Sequence, residues 1–122
     1  MTHRRILVVD DDRLLRETLR EVLIDEGYEV RAASNGREAI ARLDGWHADL
    51  VILDLMMPLM DPFAFSASHA AADHSRAAPL LILSAAASLE DARTRLGAAA
   101  TLAKPFGLDE LLSTVASLLP RA

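Results

Sequence analysis

Short unbroken apolar runs alternate along this chain with longer stretches of helical period. Ile6-Leu7-Val8-Val9 is a continuous apolar run, the pattern of a strand buried on both faces. Residues 12–26 follow with Leu15, Leu19, Val22 and Leu23 spaced as one helical face, and Gly27 stands where a C′ glycine would end the helix. Residues 28–32 read as a shorter, alternating strand. Asn35-Gly36 then marks a turn into a helix over 36–43. A third strand over 49–53 ends at Asp54. Helical composition over 63–78 gives way at Pro79 to a fourth strand, 80–83, ending at Ser84. A short helix over 88–96 and an edge strand over 101–103 precede a last helix, 108–119. That helix lines up Leu108, Leu111, Leu112, Val115 and Leu119.

Five strands alternating with five helices predict an α/β fold. It is a five-stranded parallel sheet, doubly wound, with right-handed crossovers and helices on both faces. No linker or repeat interrupts the pattern, so residues 1–122 are expected to form one domain with its core over about 5–119. Open sheets of this kind gather their chemistry at the carboxyl ends of the strands.

Composition narrows the function. Apolar residues make up 52% and aromatics 4%, so the core is aliphatic and disorder is excluded. The absence of cysteine removes a disulfide scaffold, a thiolate metal site and a cysteine nucleophile together. No apolar run has the length of a membrane span and no signal-peptide pattern opens the chain, so a cytoplasmic protein with no membrane role is expected. A net charge of −5 argues against direct nucleic-acid binding, and His3-Arg4-Arg5 reads as a solvated tail.

The strand ends carry Asp10-Asp11-Asp12, Asp54, Ser84 and Lys104-Pro105. Like charges about 4 Å apart repel by roughly 4 kcal/mol at an effective dielectric near 20, so such carboxylates need a cation among them. Carboxylate oxygens without Cys or His select Mg2+. Asp10, Asp11 and Asp54 contribute −3, a divalent ion +2 and Lys104 +1, which sums to zero. A carboxylate flanked by a lysine and a hydroxyl suits phosphoryl transfer, with the carboxylate as nucleophile forming an acyl phosphate.

These segments resemble the receiver domain of two-component response regulators, the CheY-like, flavodoxin-like (βα)5 fold. Residues 6–12 are similar to that family's first strand and acidic pair, and residues 49–58, through Asp54-Leu55-Met56-Met57-Pro58, to its phosphoacceptor segment. Leu83-Ser84-Ala85 resembles its hydroxyl-bearing strand end, Lys104-Pro105-Phe106 its lysine and cis-proline turn, and Asn35-Gly36-Arg37-Glu38-Ala39 its entry to the second helix. The resemblance implies that Asp54 is the phosphoacceptor, Asp11 the direct side-chain Mg2+ ligand and Asp10 a ligand through water. It further implies that the Met56 backbone carbonyl completes the protein ligands, that Lys104 pairs with the phosphoryl group and that Ser84 moves toward it. Asp12 is expected to cap the first helix. The partners implied are a sensor histidine kinase or histidine phosphotransfer protein and a downstream effector domain or protein. The resemblance also admits a homodimer through the fourth helix, fifth strand and fifth helix.

Several positions depart from the family. The loop after the acceptor reads Pro58-Leu59-Met60-Asp61-Pro62 where two glycines are usual, which predicts a stiffer loop. Thr101 replaces the aromatic usual three residues before the lysine, so Ser84 and Thr101 form an atypical switch pair. The 84–97 stretch is about two residues short. Met56 and Ala86 offer no strong hydrogen bond to an attacking water, which predicts slow self-dephosphorylation.

Three functions compete. A phosphoacceptor switch is not an enzyme; it assists only its own phosphorylation and dephosphorylation. A degenerate receiver would be a phosphate-independent interaction module. A haloacid dehalogenase-like phosphatase would use the Asp10-x-Asp12 spacing, but the chain has no cap insertion. The methionines at 56, 57 and 60 read as loop packing, His69 and His74 as surface residues, Phe63, Phe65 and Phe106 as core, and Trp46 as packing.

Overall fold

The β-branched and leucine-rich runs form strands because both of their faces are covered. In the computed structural model, which describes residues 4–54, 78–85 and 98–119, the elements follow one another as β1 (Arg5–Val9), α1 (Arg13–Asp25), β2 (Glu29–Ala33), α2 (Gly36–Arg42), β3 (Leu50–Asp54), β4 (Leu80–Ala85), β5 (Ala100–Lys104) and α3 (Leu108–Leu118). All strand pairs are parallel, in the order β2-β1-β3-β4-β5. The helices expected over 63–78 and 88–96 fall, but for Ala78, outside the described residues, as do Met56, Leu59, Pro62 and Ala86.

The pleat divides each strand's side chains between two cores. Ile6, Val8, Leu50, Ile52, Leu81 and Leu83 pack with Leu19 and Leu23 of α1 and with Leu111 and Val115 of α3. Leu7, Val9, Val51, Leu53 and Ile82 face the other way, with Ala39 of α2 and Trp46. Helices therefore cover both faces, as the alternation requires. Each fully buried Leu or Ile contributes roughly 1.5–3 kcal/mol relative to exposure.

Asp12 caps α1 as expected, its carboxylate accepting from the N–H groups of Leu14 and Leu15 at 3.0 and 3.3 Å. Gly27, at φ 98°, closes the far end by donating to the Ile24 carbonyl. The Tyr28 N–H then bonds to the Leu23 carbonyl at 3.2 Å, so Tyr28 belongs to the helix end and β2 starts one residue later than its sequence suggests. At α3 the buried stripe holds at Leu111, Val115 and Leu119. Leu108, expected on that stripe, is 42% exposed at the first residue of the helix. No helix among the described residues is long and apolar enough to cross a membrane.

Candidate metal and phosphoacceptor site

The strand order turns back between β1 and β3, and the two connections leaving there part company at the carboxyl edge. Val9 pairs with Leu53 across that seam. The next residue on each strand is an acid, so register alone sets Asp10 and Asp54 side by side. Both are buried, at 0% and 2% exposure, whereas Asp11 on the turn is exposed. Ligand oxygens of Asp10, Asp11 and Asp54 all lie within 4.8 Å of one another.

Lys104, at the end of β5, reaches across β4 to this group. Its Nζ lies 3.1 Å from Asp54 Oδ2 and 4.0 Å from Asp10 Oδ2. The peptide from Lys104 to Pro105 is cis, as the resemblance implies. Ser84, near the end of β4, is completely buried. Among the described residues, Ser84 Oγ and Asp10 Oδ2 are the buried side-chain polar atoms without a hydrogen-bond partner. Left unsatisfied, such groups cost about 1–3 kcal/mol each, a cost that a bound ligand would remove.

Asp10 shows the strain most directly. Burial raises its pKa from 3.8 to about 6; the Asp12 backbone N–H opposes that, Asp54 adds to it and Lys104 reduces it. The Asp12 N–H donates to Asp10 Oδ1 at 2.9 Å, which leaves Oδ2 turned toward Lys104. An all-oxygen set of carboxylates with one orphaned buried oxygen fits a hard divalent cation. Asp12 takes no part in this set: its side chain caps α1.

The structure thus brings together Asp10, Asp11, Asp54 and Lys104 and buries Ser84 at a neighbouring strand end. Thr101 stays apart, partly buried within β5 opposite Ile82. The Met56 carbonyl lies outside the described residues. Two features escaped the sequence reading. An open groove of about 570 Å³ between the start of α1 and the β5–α3 connection is lined by Leu14, Leu15, Phe106 and Leu108, with Lys104 at its border. Arg16 Nη1 donates to the Asp10 backbone carbonyl at 2.9 Å. The groove left no local signal, because the 78% exposure of Leu14 is a product of the fold; a basic residue one turn past the acids was the signal for Arg16.

The family model for the response regulator receiver domain matches residues 6–116. This chain belongs to that family. Receiver domains of the CheY type share its architecture closely: chemotaxis protein CheY4 of Vibrio cholerae superposes with a TM-score of 0.88 at 33% identity, covering 97% of this chain and 100% of that one. TrrA of Thermotoga maritima, solved with Mg2+ and BeF, gives 0.82 at 35% identity over 95% and 99% of the two chains. Among curated relatives, response regulator MprA of Mycolicibacterium vanbaalenii is 41% identical over 119 residues, 96% of this chain and 51% of that protein. The receiver domain here spans about half the length of the curated relatives it matches. Response regulators in general take signals from histidine kinases and act on downstream effectors.

Proposed function

We propose that this receiver domain is a phosphoacceptor switch in which Asp54 takes a phosphoryl group from a phosphohistidine on a sensor histidine kinase or histidine phosphotransfer protein. The observation that carries this reading is the buried Asp54 carboxylate 3.1 Å from Lys104 Nζ, inside a three-acid set with an orphaned oxygen. An Asp54 carboxylate oxygen attacks phosphorus as the bond from phosphorus to the imidazole nitrogen of the donor breaks. The product is an acyl phosphate on Asp54 and an imidazole on the partner.

Asp11 and Asp10 would hold Mg2+, which when bound neutralises charge on the phosphoryl oxygens. Lys104 stays within reach of the Asp54 oxygen and pairs with the added charge, about −1.5 to −2 for a phosphoryl group at neutral pH. Ser84 Oγ has a proton to donate to a phosphoryl oxygen. Satisfying that hydroxyl is the change that biases a two-state surface read by an effector domain or protein. The domain acts in the cytoplasm as a switch rather than an enzyme, without contacting nucleic acid itself.

Thr101 supports a second reading, a phosphate-independent interaction module, because it is smaller than the aromatic usual there. Incubation with acetyl phosphate and Mg2+ separates the two. A switch gains the mass of one phosphoryl group, and loses that gain in Asp54→Asn or with chelator. No gain in the wild-type chain would leave the second reading standing.

A further inference from the structure

The β1–α1 turn holds one cation that the phosphoryl chemistry does not use. Arg16 is half-buried on α1, and its Nη1 donates to the Asp10 carbonyl oxygen at 2.9 Å. That oxygen belongs to the peptide joining Asp10 to Asp11. The next peptide, from Asp11 to Asp12, is held at its N–H by Asp10 Oδ1, also at 2.9 Å. Asp10 is itself anchored to the sheet, its N–H donating to the Ala33 carbonyl of β2 at 3.1 Å. Both peptide planes flanking Asp11 are therefore tied, one by a guanidinium and the other by a carboxylate. Asp11 is the exposed member of the acid set and the one with most freedom to swing away from its like-charged neighbours.

We infer that Arg16 is a positioning residue for the cation site: it sets the backbone at Asp11 so that this carboxylate faces Asp10 and Asp54 in the metal-free protein. The inference rests on reading the acid set as a Mg2+ site. Its physical basis is preorganisation, since ordering met on folding is not met again on binding. A guanidinium suits the task because its charge-assisted hydrogen bond is stronger than a neutral one and its charge cannot be titrated away. The same charge offsets repulsion among the acids that the turn brings together.

The test is Mg2+ binding by calorimetry to the whole chain, alongside thermal midpoints with and without Mg2+. Arg16→Met should weaken Mg2+ about tenfold, as is usual for groups that orient metal ligands. Arg16→Lys should restore most of that affinity. Arg20→Met, which removes the same charge from an exposed position further along α1, should leave it unchanged. The rise in midpoint caused by Mg2+ should shrink in Arg16→Met, whereas a merely structural role would lower the metal-free midpoint and leave the rise intact. If Arg16→Met does not fold, Arg16→Gln, shorter and neutral, carries the same expectation. A wild-type chain that binds no Mg2+ would remove the site itself. Wild-type binding with unchanged affinity in the Arg16 variant, or an equal loss in Arg20→Met, would overturn the role of Arg16 alone.

Discussion

The two edges of the sheet treat charge in opposite ways. At the amino edge, charged groups find partners. Arg5 pairs with Glu29 at 2.6 Å, and its backbone N–H donates to Asp49 Oδ2 at 2.8 Å. Arg5 and Arg31 lie over the Trp46 ring, 5.6 and 4.6 Å from its centre, and Arg31 also donates to the Arg42 carbonyl. At the carboxyl edge, Asp10, Asp11 and Asp54 are gathered against their mutual repulsion, with two buried oxygens left without hydrogen-bond partners. The first edge is built for stability. The second gathers like charges at a cost in stability, an arrangement that the proposed cation and phosphoryl group would relieve.

The contrast breaks most visibly at Asp54. Asp54→Asn should abolish phosphorylation by acetyl phosphate, read as the absence of a mass gain, while the chain stays folded. Next in size is Trp46, buried at the other edge. Trp46→Ala should cost about 3–5 kcal/mol in chemical denaturation, the range for truncating a large buried aromatic, and leave the Mg2+ affinity of the folded protein unchanged. A comparable loss of Mg2+ affinity would mean that the edges are not independent.

Asp10→Asn should have the reverse sign. Neutralising a buried carboxylate that lies beside Asp54 and has one oxygen without a hydrogen-bond partner should stabilise the metal-free protein by about 1–2 kcal/mol and weaken Mg2+ binding. Destabilisation in metal-free buffer would contradict the strain ascribed to this edge. The same residue predicts a pH dependence. With its pKa raised from 3.8 to about 6, Asp10 favours the folded state in its protonated form. That contribution is present below about pH 4 and is lost as pH rises through 6, so the metal-free protein loses stability from this group over that window, and Asp10→Asn should flatten the trend. Mg2+ requires the ionised acid, so its affinity should fall about tenfold between pH 7 and pH 5 by titration calorimetry. The smallest effect belongs to the half-exposed Arg5–Glu29 pair, where Glu29→Ala should cost at most about 1 kcal/mol.

Much of this was written in local pattern. The strands at Ile6-Leu7-Val8-Val9 and Leu50-Val51-Ile52-Leu53 are legible because a doubly covered strand has no polar face to confuse the reading. The Asp12 cap and the Gly27 stop are legible because helix ends need particular side chains within a few residues. The acids and the lysine were identifiable as one site because parallel topology sends every strand end to the same edge. Tyr28 and Leu108 were misread for a shared reason: each has the right hydrophobicity for its element, but a backbone hydrogen bond in one case and the first-turn position in the other decide its place.

The chain's own periodicity, together with acids and a lysine at its strand ends, determined the fold and the chemistry open to it, since these depend on residue type and spacing. The tertiary structure alone decided how strained that chemistry is. Burial makes Asp10 a weaker acid, the reach of Lys104 across β4 sets the 3.1 Å contact with Asp54, and Arg16 ties the turn that carries Asp11. Desolvation, a cross-strand distance and a side-chain-to-backbone bond are properties of neighbours brought together from distant parts of the chain, and no local pattern contains them.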